Sequence, residues 1–183
     1  MAAQETLFGI VDRSEAVAAK LRMDREAYEM RVVRTFALRE GEPGGPDALL
    51  NRADVVAEFW RAWIETATWY DPDKECFVVF ILSRRNRLIA YNLVSLGTLT
   101  AALAHPREIY RPVIVAAGAA CICAHSHPSG DPSPSSADIQ LTRQITEAGR
   151  AIDIPCLDHI VIGRRSVDAL CRGYYSFREA GLI

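Results

Sequence analysis

His125 and His127 stand two residues apart in the run AHSHPSGDPSPSSAD, and Asp138 closes that run. Imidazole nitrogen and carboxylate oxygen are both ligands for zinc-like ions. On an extended strand, side chains at i and i+2 share a face, roughly 7 Å apart. Two imidazoles so placed can converge on one ion at about 2.0–2.1 Å from each nitrogen. Asp138 supplies a third ligand if the chain turns back after the histidines. Three protein ligands with one position left for water is the open arrangement of catalytic zinc, unlike the closed four-ligand structural type.

The elements that must position these groups are legible nearby. Upstream, AAGAACICA at Ala116–Ala124 is small and apolar, and Ala119–Ala124 reads as a central strand leading into the histidines. A Pro/Ser/Gly-rich turn follows. A helix is predicted over Ser135–Gly149, with Ile139, Thr142, Ile145, Ala148 and Gly149 on its inner face. Ser135 and Asp138 form S-x-x-D, a variant of the helix capping box, so both also read as ordinary cap residues. Cys121 and Cys123 share the face of His125 if the strand is regular. A mixed Cys–His site is conceivable there, but cysteine is a common buried residue and packing is the simpler reading.

H-S-H-P, a six-residue spacer and S-x-x-D together resemble the JAMM signature of JAB/MPN metalloprotease domains. The longer run HSHPSGDPSPSSAD is similar to the RadC-like branch of that family, as are HPREIY at His105–Tyr110, LDHIVIG at Leu157–Gly163 and YYSFREAGLI at Tyr174–Ile183. The resemblance spans residues 28–183, leaving 1–27 as an arm or added helix. It implies an α/β fold, a mixed β-sheet flanked by helices as in the JAB/MPN and cytidine-deaminase-like architecture. It implies Zn2+ held by His125, His127 and Asp138, with Glu75 as the base that takes a proton from water. Glu65 and Glu108 are the rival carboxylates for that role. In the family reading the Ser135 hydroxyl steadies the oxyanion. His105 and His159 fall in family-like stretches outside the signature and read as hydrogen-bonded structural histidines. Ser126 stands where the branch more often has asparagine. RRSVDALCRG, between the DHIVIG strand and the final segment, looks like an insertion.

Elsewhere the pattern gives the frame. Ser14–Glu26 has helical spacing, and Tyr28–Leu38 alternates as a half-buried strand. A helix is predicted over Asn51–Thr66, with Val55, Val56, Phe59, Trp60 and Trp63 as its apolar stripe. Glu75–Leu82 and Leu88–Leu96 read as a buried hairpin turning at SRRNR. Pro106 suits the first turn of a helix running to Ala117 and stopped by Gly118. Ile154–Ile162 reads as another buried strand.

The chain of 183 residues is half apolar and about a quarter charged, ordinary for a globular domain. A net charge of −2 provides no global field for nucleic acid. Arg84, Arg85 and Arg87 form a small basic cluster, read as a solvated hairpin tip. No apolar run approaches the ~20 residues of a membrane span. The N-terminus lacks a signal-peptide pattern. Five cysteines form no disulfide-like framework, so a cytoplasmic, reducing location is expected. The resemblance implies a metallohydrolase acting on a peptide or isopeptide bond of a protein or peptide substrate. Two alternatives belong to other classes: a DNA-repair or mobile-element accessory protein of RadC type, with nuclease activity conceivable, and a non-catalytic binding module. The sequence shows no signal of the helix-hairpin-helix segment that long RadC-type proteins carry, so DNA contact is expected to be weak or indirect.

Overall fold

Residues 35–37, 48–97 and 104–183 are described by the computed structural model, the first three as backbone only. The expected helix at Ser14–Glu26 and most of the Tyr28–Leu38 strand lie outside them. Among the described residues the strands are β1 (Thr35–Ala37), β2 (Glu75–Leu82), β3 (Leu88–Gly97), β4 (Ala120–Ser126), β5 (Cys156–Ile162) and β6 (Tyr174–Ser176). They form one mixed sheet in the order β1-β3-β2-β4-β5-β6. Helix α1 (Ala53–Phe59) continues into a π-helical turn at Trp60–Ile64; α2 spans Pro106–Val115 and α3 spans Ser136–Ala151. The α/β class implied by the sequence is the one observed.

β2 is buried along its whole length, as its unbroken apolar run after Glu75 requires. It pairs antiparallel with β3 across the predicted hairpin, whose turn places Asn86 at φ 56°. It also pairs antiparallel with β4, setting Phe77 opposite His125. β4 and β5 are parallel, so a crossover must join them, and α3 is that crossover. The two faces of the sheet have separate cores. Val78, Phe80, Ile122 and Ile160 pack with Val56 and Trp60 of the first helix. Phe77, Val79, Cys121 and Cys123 pack with Ile109, Val113 and Ile145 of α2 and α3.

Three sequence expectations are corrected. The helix predicted over Asn51–Thr66 starts at Ala53 and widens to π geometry at Trp60, where Glu65 N–H bonds back five residues to the Trp60 carbonyl. Val55 is exposed, because Ala53, Val56, Ala57 and Trp60 form the face laid on the sheet. The helix beginning at Pro106 ends at Val115, and the left-handed residue that follows is Ala117, φ 53°. Gly118 is needed for space instead: a Cβ there would sit 2.5 Å from Ile81 Cγ2 and 2.9 Å from Val113 Cγ1.

Candidate metal centre

The register of the sheet assembles the site. Phe77 opposite His125 in antiparallel strands brings the start of β2, Glu75, beside the end of β4. Odd-numbered residues of β2 face α2 and α3, so Glu75 points to the same side as His125. α3 then returns Asp138 in its first turn. Ligand atoms of Glu75, His125, His127 and Asp138 all lie within 4.8 Å of one another. His125 Nε2 is 3.1 Å from His127 Nε2, 3.3 Å from Asp138 Oδ1 and 4.0 Å from Glu75 Oε1. Asp138 Oδ2 is 3.6 Å from His127 Nε2.

The proton arrangement around these nitrogens can be deduced link by link. The Thr142 hydroxyl donates its one proton to the Asp138 carbonyl at 2.6 Å. It must therefore accept from His159 Nδ1, 2.7 Å away. Burial holds His159 well below its usual pKa, and His125 beside it adds to that, so the ring is neutral. With its proton on Nδ1, His159 accepts at Nε2 from His125 Nδ1, 2.9 Å distant. In the neutral ring this tautomer puts the His125 lone pair on Nε2. His127 Nδ1 faces the Asp131 carbonyl at 2.8 Å and must donate to it, so its Nε2 is the nitrogen that carries the lone pair in the neutral ring and a second proton in the charged one. Two lone pairs cannot face each other at 3.1 Å, so either a proton on one ring or a metal ion must lie between them. Glu75 Oε2 is buried with no hydrogen-bond partner. Tetrahedral ligands at about 2.0–2.1 Å from zinc stand roughly 3.3 Å from one another, close to the spacings found. The donor set of two imidazoles and carboxylates therefore fits a zinc-type ion.

The electrostatics follow from burial and neighbours. Burial would raise the Asp138 carboxyl, but His125, His127 and the Ser135 hydroxyl outweigh it and hold it far below the usual carboxylate range. Burial raises Glu75, against the pull of both histidines. Burial would lower His127, but Asp138 and the Asp131 carbonyl outweigh it and raise its pKa.

Ser135 caps α3 in a full capping box: its oxygen accepts from Asp138 N–H, and Asp138 Oδ2 accepts from Ser135 N–H at 2.7 Å. The Ser135 hydroxyl proton goes to Asp138 Oδ2 at 2.6 Å, so it must turn to serve an oxyanion. Ser126 points to the opposite face and accepts from Cys76 N–H. His105 caps α2 by accepting from Arg107 N–H. Glu65 lines a cleft of about 270 Å³ beside His127, together with Tyr70, Asp73, Ser126 and Arg164. Glu108 is on the surface, paired with Arg111. Cys123 joins Cys121 and Cys156 in a cluster apart from the histidines.

The RRSVDALCRG stretch is a series of turns that grips the loop after His127. Arg164 Nη2 donates to the carbonyls of Pro128 and Ser129, both at 3.0 Å, and Arg164 N–H donates to Gly130 O. Gly130 has φ 82°, and a side chain there would collide with the Arg164 guanidinium. Asp168 holds the far side of the stretch by accepting from Leu170, Arg172 and Gly173 N–H.

A family model described as RadC-like JAB domain matches residues 51–182. The chain belongs to the RadC-like JAB family. Relatives include a UPF0758 protein of Symbiobacterium thermophilum, 48% identical over 109 residues, covering 60% of this chain and 44% of that protein. A UPF0758 protein of Pelodictyon phaeoclathratiforme is 45% identical over 113 residues, 62% of this chain and 48% of the relative. Another, of Thermosynechococcus vestitus, is 39% identical over 139 residues, 75% of this chain and 51% of the relative. The chain thus spans about half the length of the curated relatives it matches. No helix among the described residues of this RadC-like JAB chain is long and apolar enough to cross a membrane.

Proposed function

We propose that this chain is a zinc-dependent hydrolase of JAMM type that cleaves a peptide or isopeptide amide in a protein or peptide substrate. The observation that carries the reading is the convergence of His125 Nε2 and His127 Nε2, 3.1 Å apart, with Asp138 and Glu75 closing the set. His125, His127 and Asp138 would hold the ion, which when bound supplies a Lewis acid that lowers the pKa of water towards ~7. Glu75 is buried at the rim of this set and has a free carboxylate oxygen. Its raised pKa suits a base that takes a proton from water and later gives it to the leaving amine. Ser135, released from Asp138, would donate to the oxyanion. The cleft beside His127 would take the substrate chain. All five cysteines are unpaired, which suits work in the reducing cytoplasm.

The test is elemental analysis of protein purified without chelator, followed by a screen of peptide, isopeptide and nucleic-acid substrates. One zinc per chain and amide cleavage that stops on chelation is the expected outcome. Zinc that persists after both His125 and His127 become alanine sinks the site. Cleavage of DNA but of no amide replaces the peptidase reading with the nuclease one.

A further inference from the structure

We propose that Cys121, Cys123 and Cys156 form a second, all-sulfur metal site that takes a thiophilic ion of the monovalent copper type. Cys121 and Cys123 alternate on one face of β4, and Cys156 opens β5 directly opposite Cys121. The three Sγ atoms lie within 4.8 Å of one another, and Cys123 and Cys156 are 3.9 Å apart. Three sulfurs arranged evenly at about 2.3 Å from one ion stand roughly 4.0 Å from each other. A disulfide would need about 2.05 Å. The parallel register therefore sets the sulfurs at ligand spacing rather than at bonding distance.

The surroundings select the ion. Thiolates favour soft metals such as monovalent copper and zinc. Structural zinc almost always takes four ligands. Here the wall is Val79, Ile109, Val113 and Ile145. The hydroxyl beside the cluster, Tyr110, donates its proton to the Ile145 carbonyl at 2.8 Å and stays a neutral, hard oxygen, a poor match for a soft ion. The other donor atoms nearby are hard neutral oxygens, the Tyr110 hydroxyl and the Asp158 carbonyl 3.1 Å from Cys156 Sγ, so three sulfurs suit three-coordinate copper. Cys156, like the other two thiols, is buried. Pro155 and Leu157, its neighbours in sequence, line an open cleft. Binding releases thiol protons to solvent and involves no redox change, since copper arrives already monovalent.

The experiment uses the reduced full chain with zinc supplied to the histidine site. Cuprous ion is titrated against bathocuproine disulfonate, and the bound metal is examined by X-ray absorption. One cuprous ion per chain withheld from the chelator, in a shell of sulfur near ~2.3 Å, is expected. Cys123→Ala should weaken retention at least ~100-fold, the upper end of what losing an outer-shell partner costs. Cys76→Ala, buried on the other face of the sheet, and Cys171→Ala, exposed, should leave it unchanged. Changing both His125 and His127 to alanine should also leave it unchanged, which separates this site from the zinc reading. If Cys123→Ala fails to fold, the sulfur shell in the unmodified chain still decides. Copper surrounded by nitrogen, copper lost with the two histidines, or no copper withheld overturns the proposal.

Discussion

His125 Nδ1 lies 2.9 Å from His159 Nε2, and this buried contact decides which nitrogen of His125 faces His127 and Asp138. The rings are held in place by neighbours: Phe77 stacks on His125 with an interplanar angle of 3°, and Phe177 stacks on His159 with 10°. Thr142 fixes the far end of the chain through the Asp138 carbonyl. The same short helix turn thus supplies Asp138, a candidate ligand, and anchors the tautomer of His125, another.

The expected consequence is that His159→Phe lowers zinc affinity about 10–100-fold, the range for loss of an outer-shell partner. His159→Gln should recover much of it, because its amide oxygen can accept from His125 while its amide nitrogen donates to Thr142. Competition with a chromophoric chelator measures both. Equal affinities in wild type and His159→Phe would show that the contact does not set the ligand.

Glu75→Gln should keep the metal and lose turnover. Glu75 Oε1 is 4.0 Å from His125 Nε2, and Oε2 is free, so the carboxylate borders the set without being tied into it. General-base catalysis contributes typically ~10²–10⁴-fold, and kcat should fall within that range. Zinc content by elemental analysis should stay at the wild-type value. Loss of zinc would make Glu75 a ligand; unchanged turnover would move the base to Glu65, which lines the neighbouring cleft.

What was legible in the sequence is what local spacing controls. His125, His127 and Asp138 lie in one strand–loop–helix unit, and their convergence follows from the strand period and the helix cap. Glu75 could be placed only by resemblance, because its proximity depends on the β2–β4 register. His159 was read as a structural histidine, and its position behind His125 follows from parallel pairing of β4 and β5. A buried strand ending in DHIVIG was visible; its register against β4 was not. Arg164 was missed because the stretch around it has neither strand nor helix period. Its hold on the loop after His127 links residues 35 positions apart. The π turn at Trp60 was hidden because apolar residues at helical spacing look the same in either geometry.

Asp158 should make the fold less stable as pH rises. It accepts from the Ser176 hydroxyl at 2.6 Å and from Arg178 N–H at 3.0 Å, securing the C-terminal segment. Burial nevertheless raises its pKa from 3.8 to about 6, against those hydrogen bonds and the Arg178 charge. The native state therefore binds a proton more tightly than the unfolded chain. This contribution is full below about pH 4 and is lost by about pH 6, amounting to about 3 kcal/mol at 1.36 kcal/mol per pH unit. Asp138, with its lowered pKa, works in the opposite direction, so the comparison must be made between variants. In urea unfolding, Asp158→Asn should gain on wild type between about pH 4 and 6 and hold that gain above. A difference that stays flat across that window would show that Asp158 ionises as freely in the fold as in the unfolded chain.

DNA binding by the chain should be weak and remote from the metal centre. Arg84 and Arg85 are exposed at the turn after β2, with Arg87 at its close. Glu75 opens the same strand, and eight residues of extended chain put roughly 25 Å between the turn and the site. A phosphate held by these arginines therefore lies far from Glu75 and the two histidines. About three phosphate contacts give only salt-sensitive, micromolar-range affinity at physiological ionic strength. Titration with single- and double-stranded DNA at ~0.15 M salt should show binding no tighter than micromolar, reduced further by changing the three arginines to alanine. It should leave amide cleavage untouched. Nanomolar binding that survives the triple change would require a DNA surface elsewhere on the chain. If that binding also blocked amide cleavage, the surface would have to reach the metal centre, and the nucleic-acid reading would take precedence over the peptidase one.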